Sequence, residues 1–339
     1  MKILVTGGAG FIGSHLVDAL VDRSEVTVLD NLSSGRLGNL QIGRARGRCA
    51  FVKGDLKIEP VPDLSDFETI FHLAANPEVR VGATNPSVHF NENVVSTYNL
   101  LEGVRKHGNA RLIAFASTST VYGEAEKIPT GEDYGPLKPI STYGASKLAC
   151  ESLIAAYASM YGFRTVIFRL ANVIGPRSTH GIIYDLVNKL KTNPRELEIL
   201  GDGSQAKSYL HVGDCVSGMM TGMDKLNERV GILNVGGEDQ INVLRITDVV
   251  CEEMGLKGVK VECRDTLGDG RGWVGDVRLM RLDVSKLERL GWKPNMNSES
   301  AIRSAARSVI SELEAKDGES SRGQRPSSDA ALQGRKMPM

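Results

Sequence analysis

Apolar residues recur along this chain in two alternating rhythms, and the alternation predicts the architecture. Short apolar runs at 3–5, 26–29, 50–53, 69–73, 111–116 and 165–170 have the length of strands buried on both faces. Between them lie stretches with helical spacing. Phe11, Ile12, Leu16, Val17 and Leu20 share one side of a first helix. Val94, Val95, Tyr98, Leu101 and Val104 form a stripe within a helix predicted over 87–107, and another long helix is predicted over 143–161. Strands alternating with helices give an α/β fold, a doubly wound parallel sheet of the Rossmann type joined by right-handed crossovers.

Beyond Asn172 the rhythm changes. Gly175-Pro176-Arg177 reads as a turn, followed by a helix over 182–191 and a short strand over 197–200. Residues 208–223 read as a return to the sheet, with Asp214 as the expected helix N-cap. A further strand over 232–235, a helix over 246–254, a strand over 259–263 and a final helix over 298–314 complete the pattern. The organisation expected is one unit over 1–174, re-entered by about 208–238, and a smaller discontinuous α/β unit from 175–207 and 239–315. Residues 316–339 are charged, rich in Ser and Gly and poor in large apolar side chains. Such a segment cannot offset its ordering entropy, so a disordered tail is expected.

Composition narrows the classes. A chain of 339 residues can build one large or two modest domains. Its net charge is zero, which predicts no bulk attraction to nucleic acid or to an anionic membrane surface. The apolar runs are too short to span a bilayer, and a core strand starts at once, so no signal peptide is expected. Five cysteines show no CxxC spacing, which suits free buried thiols in a reducing cytoplasm. Six histidines show no ligand spacing. They are expected to be structural, and no metal site is predicted.

The chemistry begins in the first turn. Between the first strand and first helix stand Gly7, Gly10 and Gly13. Gly7 permits a tight turn, Gly10 leaves room for a diphosphate, and Gly13 lets the helix press on the strand. The helix start around Phe11 and Ile12 then turns free N–H groups and a favourable dipole toward the diphosphate. Asp30 ends the second strand, where a carboxylate suits a ribose 2′-hydroxyl and repels a 2′-phosphate. The cofactor predicted is therefore NAD rather than NADP. The loop after it, with Asn31, Ser33, Ser34 and Gly35, is placed to wrap the adenosine end. Asp55, followed by Leu56, ends the third strand where a carboxylate can accept from an adenine amino group. Leu73, Ala74 and Ala75 end the fourth strand, and the two alanines allow a ligand close to the backbone. Asn93 interrupts an apolar stripe, either as an exposed polar residue or as a contact to cofactor or strand. Tyr143 and Lys147 lie four residues apart on one helical face. A phenol is a poor base at neutral pH unless a nearby positive charge favours its anion, and Lys147 can also hold the nicotinamide ribose. Thr118, ending the fifth strand, adds a hydroxyl that can share the substrate oxygen.

These motifs together resemble the extended short-chain dehydrogenase/reductase family of NAD-dependent epimerases and dehydratases, and most closely its sugar-nucleotide 4-epimerases. The resemblance rests on Gly7–Gly13, Asp30, Gly54-Asp55-Leu56, His72-Leu73-Ala74-Ala75, Thr118–Gly123, Tyr143-Gly-Ala-Ser-Lys147 and Gly201-Asp202-Gly203-Ser-Gln205. It implies C4 epimerisation of a UDP-sugar, UDP-glucose and UDP-galactose, with NAD held throughout. It also implies that Asn172 and Lys207 contact the diphosphate and that the strand from Leu197 to Leu200 flanks the uracil, with Gln205 nearby. Lys207 stands where arginine is usual. Near the C-terminus the family has an arginine shortly before a Gly-Asp pair. Here the pair is Gly275-Asp276, Trp273 occupies the nearer place, and Arg271 either serves from two residues earlier or is a surface turn residue. Arg80 stands near the place of a lysine that many epimerases carry by the nicotinamide. Met280 falls where the family limits room beside the sugar C2. Helices containing Tyr98–Val104 and Leu148–Tyr157 are implied to form a homodimer interface. The rival activities are a 4,6-dehydratase, a decarboxylase and a reductase of the same family, and more remotely a non-enzymatic dinucleotide sensor. Dehydratases have Asp-Glu after the catalytic threonine, where this chain has Ser119 and Thr120.

Overall fold

The computed structural model describes residues 1–58 and 63–322. In chain order its first half comprises β1 (Lys2–Thr6), α1 (Phe11–Leu20), β2 (Glu25–Asp30), α2 (Gln41–Ala45), β3 (Cys49–Lys53), β4 (Thr69–His72), α3 (Ser87–His89), α4 (Ser96–His107), β5 (Leu112–Thr118), α5 (Thr142–Tyr161) and β6 (Arg164–Leu170). The second half comprises β7 (Asn172–Ile174), α6 (Ile182–Thr192), β8 (Glu196–Leu200), β9 (Ala206–Lys207), β10 (Tyr209–His211), α7 (Val212–Lys225), β11 (Val230–Val235), β12 (Ile241–Asn242), α8 (Val243–Glu253), β13 (Lys260–Arg264), β14 (Leu279–Met280), α9 (Ser285–Arg289) and α10 (Ser298–Arg322).

Seven parallel strands make the main sheet in the order β11-β6-β5-β4-β1-β2-β3. The order reverses beside β1, so the ends of β1 and β4 diverge and leave a crevice. Alternate residues of each strand feed opposite faces. Ile3, Val5, Val28 and Phe71 pack with Leu16, Val17 and Leu20 of α1 and Met219 of α7, while Leu4, Leu29, Ile70 and Phe115 pack with Leu100 and Leu101 of α4 and Ile154 of α5. A third apolar cluster joins Ile183 and Leu186 of α6, Leu197 and Ile199 of β8, Val250 of α8 and Ile302 of α10. It hangs over the carboxyl ends of the sheet strands through β7, which pairs with β10 in parallel.

Four expectations change. The helix predicted over 87–107 contains a wider π turn, Phe90–Val95, between α3 and α4, and Asn93 within it is buried. The N-cap of α7 is His211, whose Nδ1 accepts from Gly213 N at 3.1 Å. Asp214 instead accepts from Asn295 Nδ2 (2.7 Å) and Met296 N (3.2 Å), tying α7 to the segment before α10. The final helix continues to Arg322, past the predicted start of the tail; Glu312, Leu313, Glu314, Ala315 and Lys316, all strong helix formers, carry it across that boundary. The rest of that tail, 323–339, lies outside the described residues. All five cysteines are free, but only Cys150 and Cys215 are buried; Cys49 and Cys251 are half-buried, and Cys263 is exposed because β13 pairs only with β8 at the periphery. Among the described residues no group of side chains is arranged to hold a metal, and no helix is long and apolar enough to cross a membrane.

Candidate active site

A cavity of about 560 Å³ runs from the glycine turn, across the carboxyl ends of β1, β4 and β5, to β8 and β9. At one end Gly7 takes φ +69° and donates its N–H to Leu29 O at 2.9 Å. Gly10 N donates to Gly7 O at 3.1 Å, and no side chain caps α1. The loop fits a dinucleotide on two counts. A Cβ on Gly13 would stand 2.2 Å from Gly7 O, and one on Gly7 would stand 2.7 Å from Ala74 N, so only glycine permits this close turn. The uncapped start of α1 also leaves the N–H groups of Phe11 and Ile12 facing the cavity, where a diphosphate can accept from them.

Asp30 is buried at the cavity wall. Its Oδ2 accepts from Ala9 N (3.0 Å) and its Oδ1 from Leu32 N (2.8 Å), which holds the carboxylate in place for a ribose hydroxyl. Asn31 donates to Asp55 Oδ2 at 3.1 Å and accepts from Ser33 N at 2.9 Å. Burial pushes Asp55 up, but hydrogen bonds from Lys57 N and Asn31 with the Lys57 charge outweigh it, so Asp55 titrates below its ordinary value. Asn31, Ser33, Ser34, Asp55, Leu56, Leu73, Ala74 and Ala75 all line the cavity. Gly35 does not. It backs the loop, where a Cβ would stand 2.9 Å from Asp30 Oδ2. Asn93 is also absent from the wall; the π turn buries it, accepting from Asn76 N (2.8 Å) and donating to Ser146 Oγ (2.9 Å). It braces the wall rather than forming it.

Tyr143, Lys147 and Thr118 meet in the middle of the cavity. Ser141 caps α5 by accepting from Gly144 N at 3.1 Å, which sets Tyr143 in the first turn. His89, which sequence reasoning left among the structural histidines, packs edge-on against the Tyr143 ring, 5.6 Å between centroids, while accepting or donating at Thr142 Oγ1 (2.9 Å). Lys147 Nζ donates to Ala116 O at 2.8 Å and lies 4.7 Å from the Phe115 ring centre. Burial lowers Lys147 to about 8, against the opposing pull of Cys150 and Glu151. Burial raises Tyr143 to about 12, partly offset by its hydrogen bond with Thr118. Desolvation of the phenolate thus outweighs the help it receives from Thr118, and the lowering expected of the phenol enlists the positive nicotinamide ring together with Lys147.

The far end is built by the second half. Asn172, Leu200, Gln205, Lys207, Asp276 and Met280 line the cavity. Leu197 does not; it lies nearer the start of β8, buried in the third apolar cluster, while Ile199 on the same face of the strand does reach the wall. Arg271 is likewise absent from the wall. It donates to Asp269 (2.8 Å), Glu124 (2.9 Å) and Asp276 O (2.9 Å), a turn-bracing role. Trp273 lines the cavity in its stead, with the Lys207 ammonium 5.5 Å and the Arg80 guanidinium 5.8 Å from its ring centre. Lys207 pairs with Asp276 at 2.5 Å. Arg177, also at the wall, takes φ +66° and donates to Asp18 at 2.7 Å; the Gly-Pro-Arg turn was its only signal in the sequence.

The model of the NAD dependent epimerase/dehydratase family matches residues 3–236, the stretch that holds the glycine turn, Thr118, Tyr143, Lys147 and Lys207. The chain belongs to this family. NAD is therefore its cofactor, in agreement with the glycine cradle and Asp30. The UDP-glucose 4-epimerase of Mycolicibacterium smegmatis is 35% identical over 306 residues, 87% of this chain and 94% of that one. UDP-glucuronic acid decarboxylase 1 of Arabidopsis thaliana is 33% identical over 307 residues, 88% of this chain and 67% of that one. A crystal structure of a UDP-galactose 4-epimerase superposes with a TM-score of 0.83 at 46% identity, covering 92% of this chain and all of that one.

Proposed function

We propose that this family member interconverts UDP-glucose and UDP-galactose by epimerisation at C4, through a transient 4-keto sugar. The observation that carries the reading is the convergence of Tyr143, Thr118 and Lys147 in one cavity, with hydroxyls rather than carboxylates at Ser119 and Thr120. Elimination of water needs an acid and a base beside the threonine, and that pair is missing from those positions. Epimerisation needs one group that takes and returns a proton, and Tyr143 suffices. Bound NAD supplies the acceptor and later the donor of the C4 hydride, and its positive ring favours the phenolate. Thr118 shares the 4-hydroxyl and steers its proton toward Tyr143, while the Lys147 ammonium supports the phenolate and binds ribose. Gly7, Gly10, Gly13 and Asp30 hold the dinucleotide, with Asp55 at its adenine end.

The UDP portion is held by Asn172, Leu200, Gln205, Lys207 and Asp276, and Met280 bounds the room beside C2. Neither Leu197 nor Arg271 belongs to this grip. We further take residues 1–174 with the strands re-entered later as the cofactor domain, and the third apolar cluster as the core of a sugar-nucleotide domain. Tyr98 and Tyr161 stay exposed on α4 and α5, which supports a homodimer through those helices, and the free thiols suit a cytoplasmic enzyme.

Tyr143→Phe removes the proton carrier while keeping the ring. Turnover of UDP-galactose should fall by roughly 10²–10⁴-fold, and the purified variant should still hold NAD. Full activity in that variant would contradict the reading. Parallel incubation of the native chain with UDP-galactose, UDP-N-acetylglucosamine and UDP-glucuronate, followed by chromatography, tests the sugar.

A further inference from the structure

One helical turn beyond Lys147, Glu151 of α5 sits in a buried ion pair that the proposed chemistry does not use. Its carboxylate accepts from Arg169 Nε at 3.1 and 3.2 Å and from Arg169 Nη2 at 2.8 Å, with the two side chains 5% and 4% exposed. Ser117 Oγ donates to the same carboxylate. Ser117 on β5 and Arg169 on β6 are register partners, and the guanidinium lies 4.8 Å from the Tyr122 ring centre. A buried pair is weak support for stability, since the cost of removing both charges from water offsets much of their attraction.

Its position suggests a different role. Lys147 is fastened to Ala116 O and Glu151 to Ser117 Oγ. Two successive turns of α5 are therefore fixed to two successive residues of β5. The next residue along the strand is Thr118, and the preceding turn of the helix carries Tyr143. Two attachment points set both the rotation of α5 and its slide along β5. Asn93 and the packing of Ile154 hold α5 elsewhere along its length; without the Glu151 tie its alignment to the end of β5 rests on Lys147, and the phenol is the group displaced.

We propose that Glu151, held by Arg169, is a positioning residue that locks α5 to the end of β5, so that the Tyr143 phenol and the Thr118 hydroxyl meet on one substrate oxygen. The inference rests on the roles assigned above to Tyr143 and Thr118. It acts through geometry, and displacement of a reacting group by 1 Å can cost on the order of 10²-fold in rate.

Two variants of the NAD-loaded full chain test it, assayed with UDP-galactose for kcat, KM, bound NAD and thermal midpoint. E151M/R169M removes both charges together and leaves none stranded. Ser117→Ala removes one attachment and touches no charge, which keeps the test decisive if the double variant does not fold. Bound NAD and KM should stay within about 2-fold of the parent, with kcat down about 10²-fold for the double variant and about 10-fold for Ser117→Ala. A purely structural pair would lower the thermal midpoint and leave kcat alone. A folded variant that keeps the parent kcat, or loses kcat only in step with NAD, would overturn the positioning role. A parent chain that holds NAD yet converts no UDP-sugar would overturn the functional reading and this inference with it; an active parent beside equally active variants overturns this inference alone.

Discussion

In the proposed chemistry Lys147 is the residue whose ionisation sets the working pH. Burial lowers it to about 8, yet it must stay charged to support the phenolate. Turnover should therefore decline as pH rises through about 8, and a pH–kcat profile still flat well above pH 9 would contradict the assignment. Lys147→Met, which keeps the stem and removes the charge, should lower kcat by about 10²-fold or more. At the same scale, the sequence made the three converging polar groups legible and the wall less so. Tyr143, Lys147 and Thr118 carry their own signature in residue type and spacing. Leu197 and Leu200 sit toward opposite ends of a five-residue strand, and which end reaches the cavity is set by the fold rather than by residue type. Arg271 looked available because its partners, Asp269 and Glu124, are brought to it by the fold. His89 gave no signal at all, since a helix, a strand and a loop separate it from Tyr143 along the chain.

Elements position these residues. The turn from β1 into α1 works because it has no side chains to fill it. Gly13→Ala would place a methyl 2.2 Å from Gly7 O, so helix and turn must separate. The expected result is loss of NAD from the purified protein with the sheet retained, checked by cofactor absorbance and circular dichroism. The strand and helix elements themselves were readable because apolar periodicity survives burial on both faces of the sheet. The π turn at Phe90–Val95 was not, because a bulge of one residue barely disturbs that periodicity while reversing the environment of Asn93. Helix ends were similarly faint: His211 caps α7 with a ring nitrogen, a role its sequence context does not advertise.

At the scale of the whole molecule, one neutral histidine buried in the sheet couples stability to pH. His72 is fully buried between Thr6 Oγ1 (2.7 Å) and Thr97 Oγ1 (2.9 Å), and burial, helped by the Lys147 charge, lowers it to about 3. A group whose folded value is depressed stabilises the fold fully above its unfolded value near 6.5, and that contribution is lost as pH falls toward 3. The loss can reach roughly 5 kcal/mol. Denaturant titrations from pH 7 to pH 3.5 should show this slope, and His72→Gln, which cannot titrate, should flatten it although it starts less stable at pH 7. An unchanged slope in the variant would assign acid sensitivity elsewhere.

The cavity joins a cofactor cradle at one end to the wall built by β8 and β9 at the other, with one phenol between them. If that phenol serves a hydride that leaves C4 and comes back to it, the hydrogen on C4 never exchanges with water. Incubation of UDP-galactose deuterated at C4 should give UDP-glucose with the deuterium still at C4. Recovery of product carrying solvent hydrogen at C4, or of no UDP-glucose from NAD-loaded protein, would contradict the account.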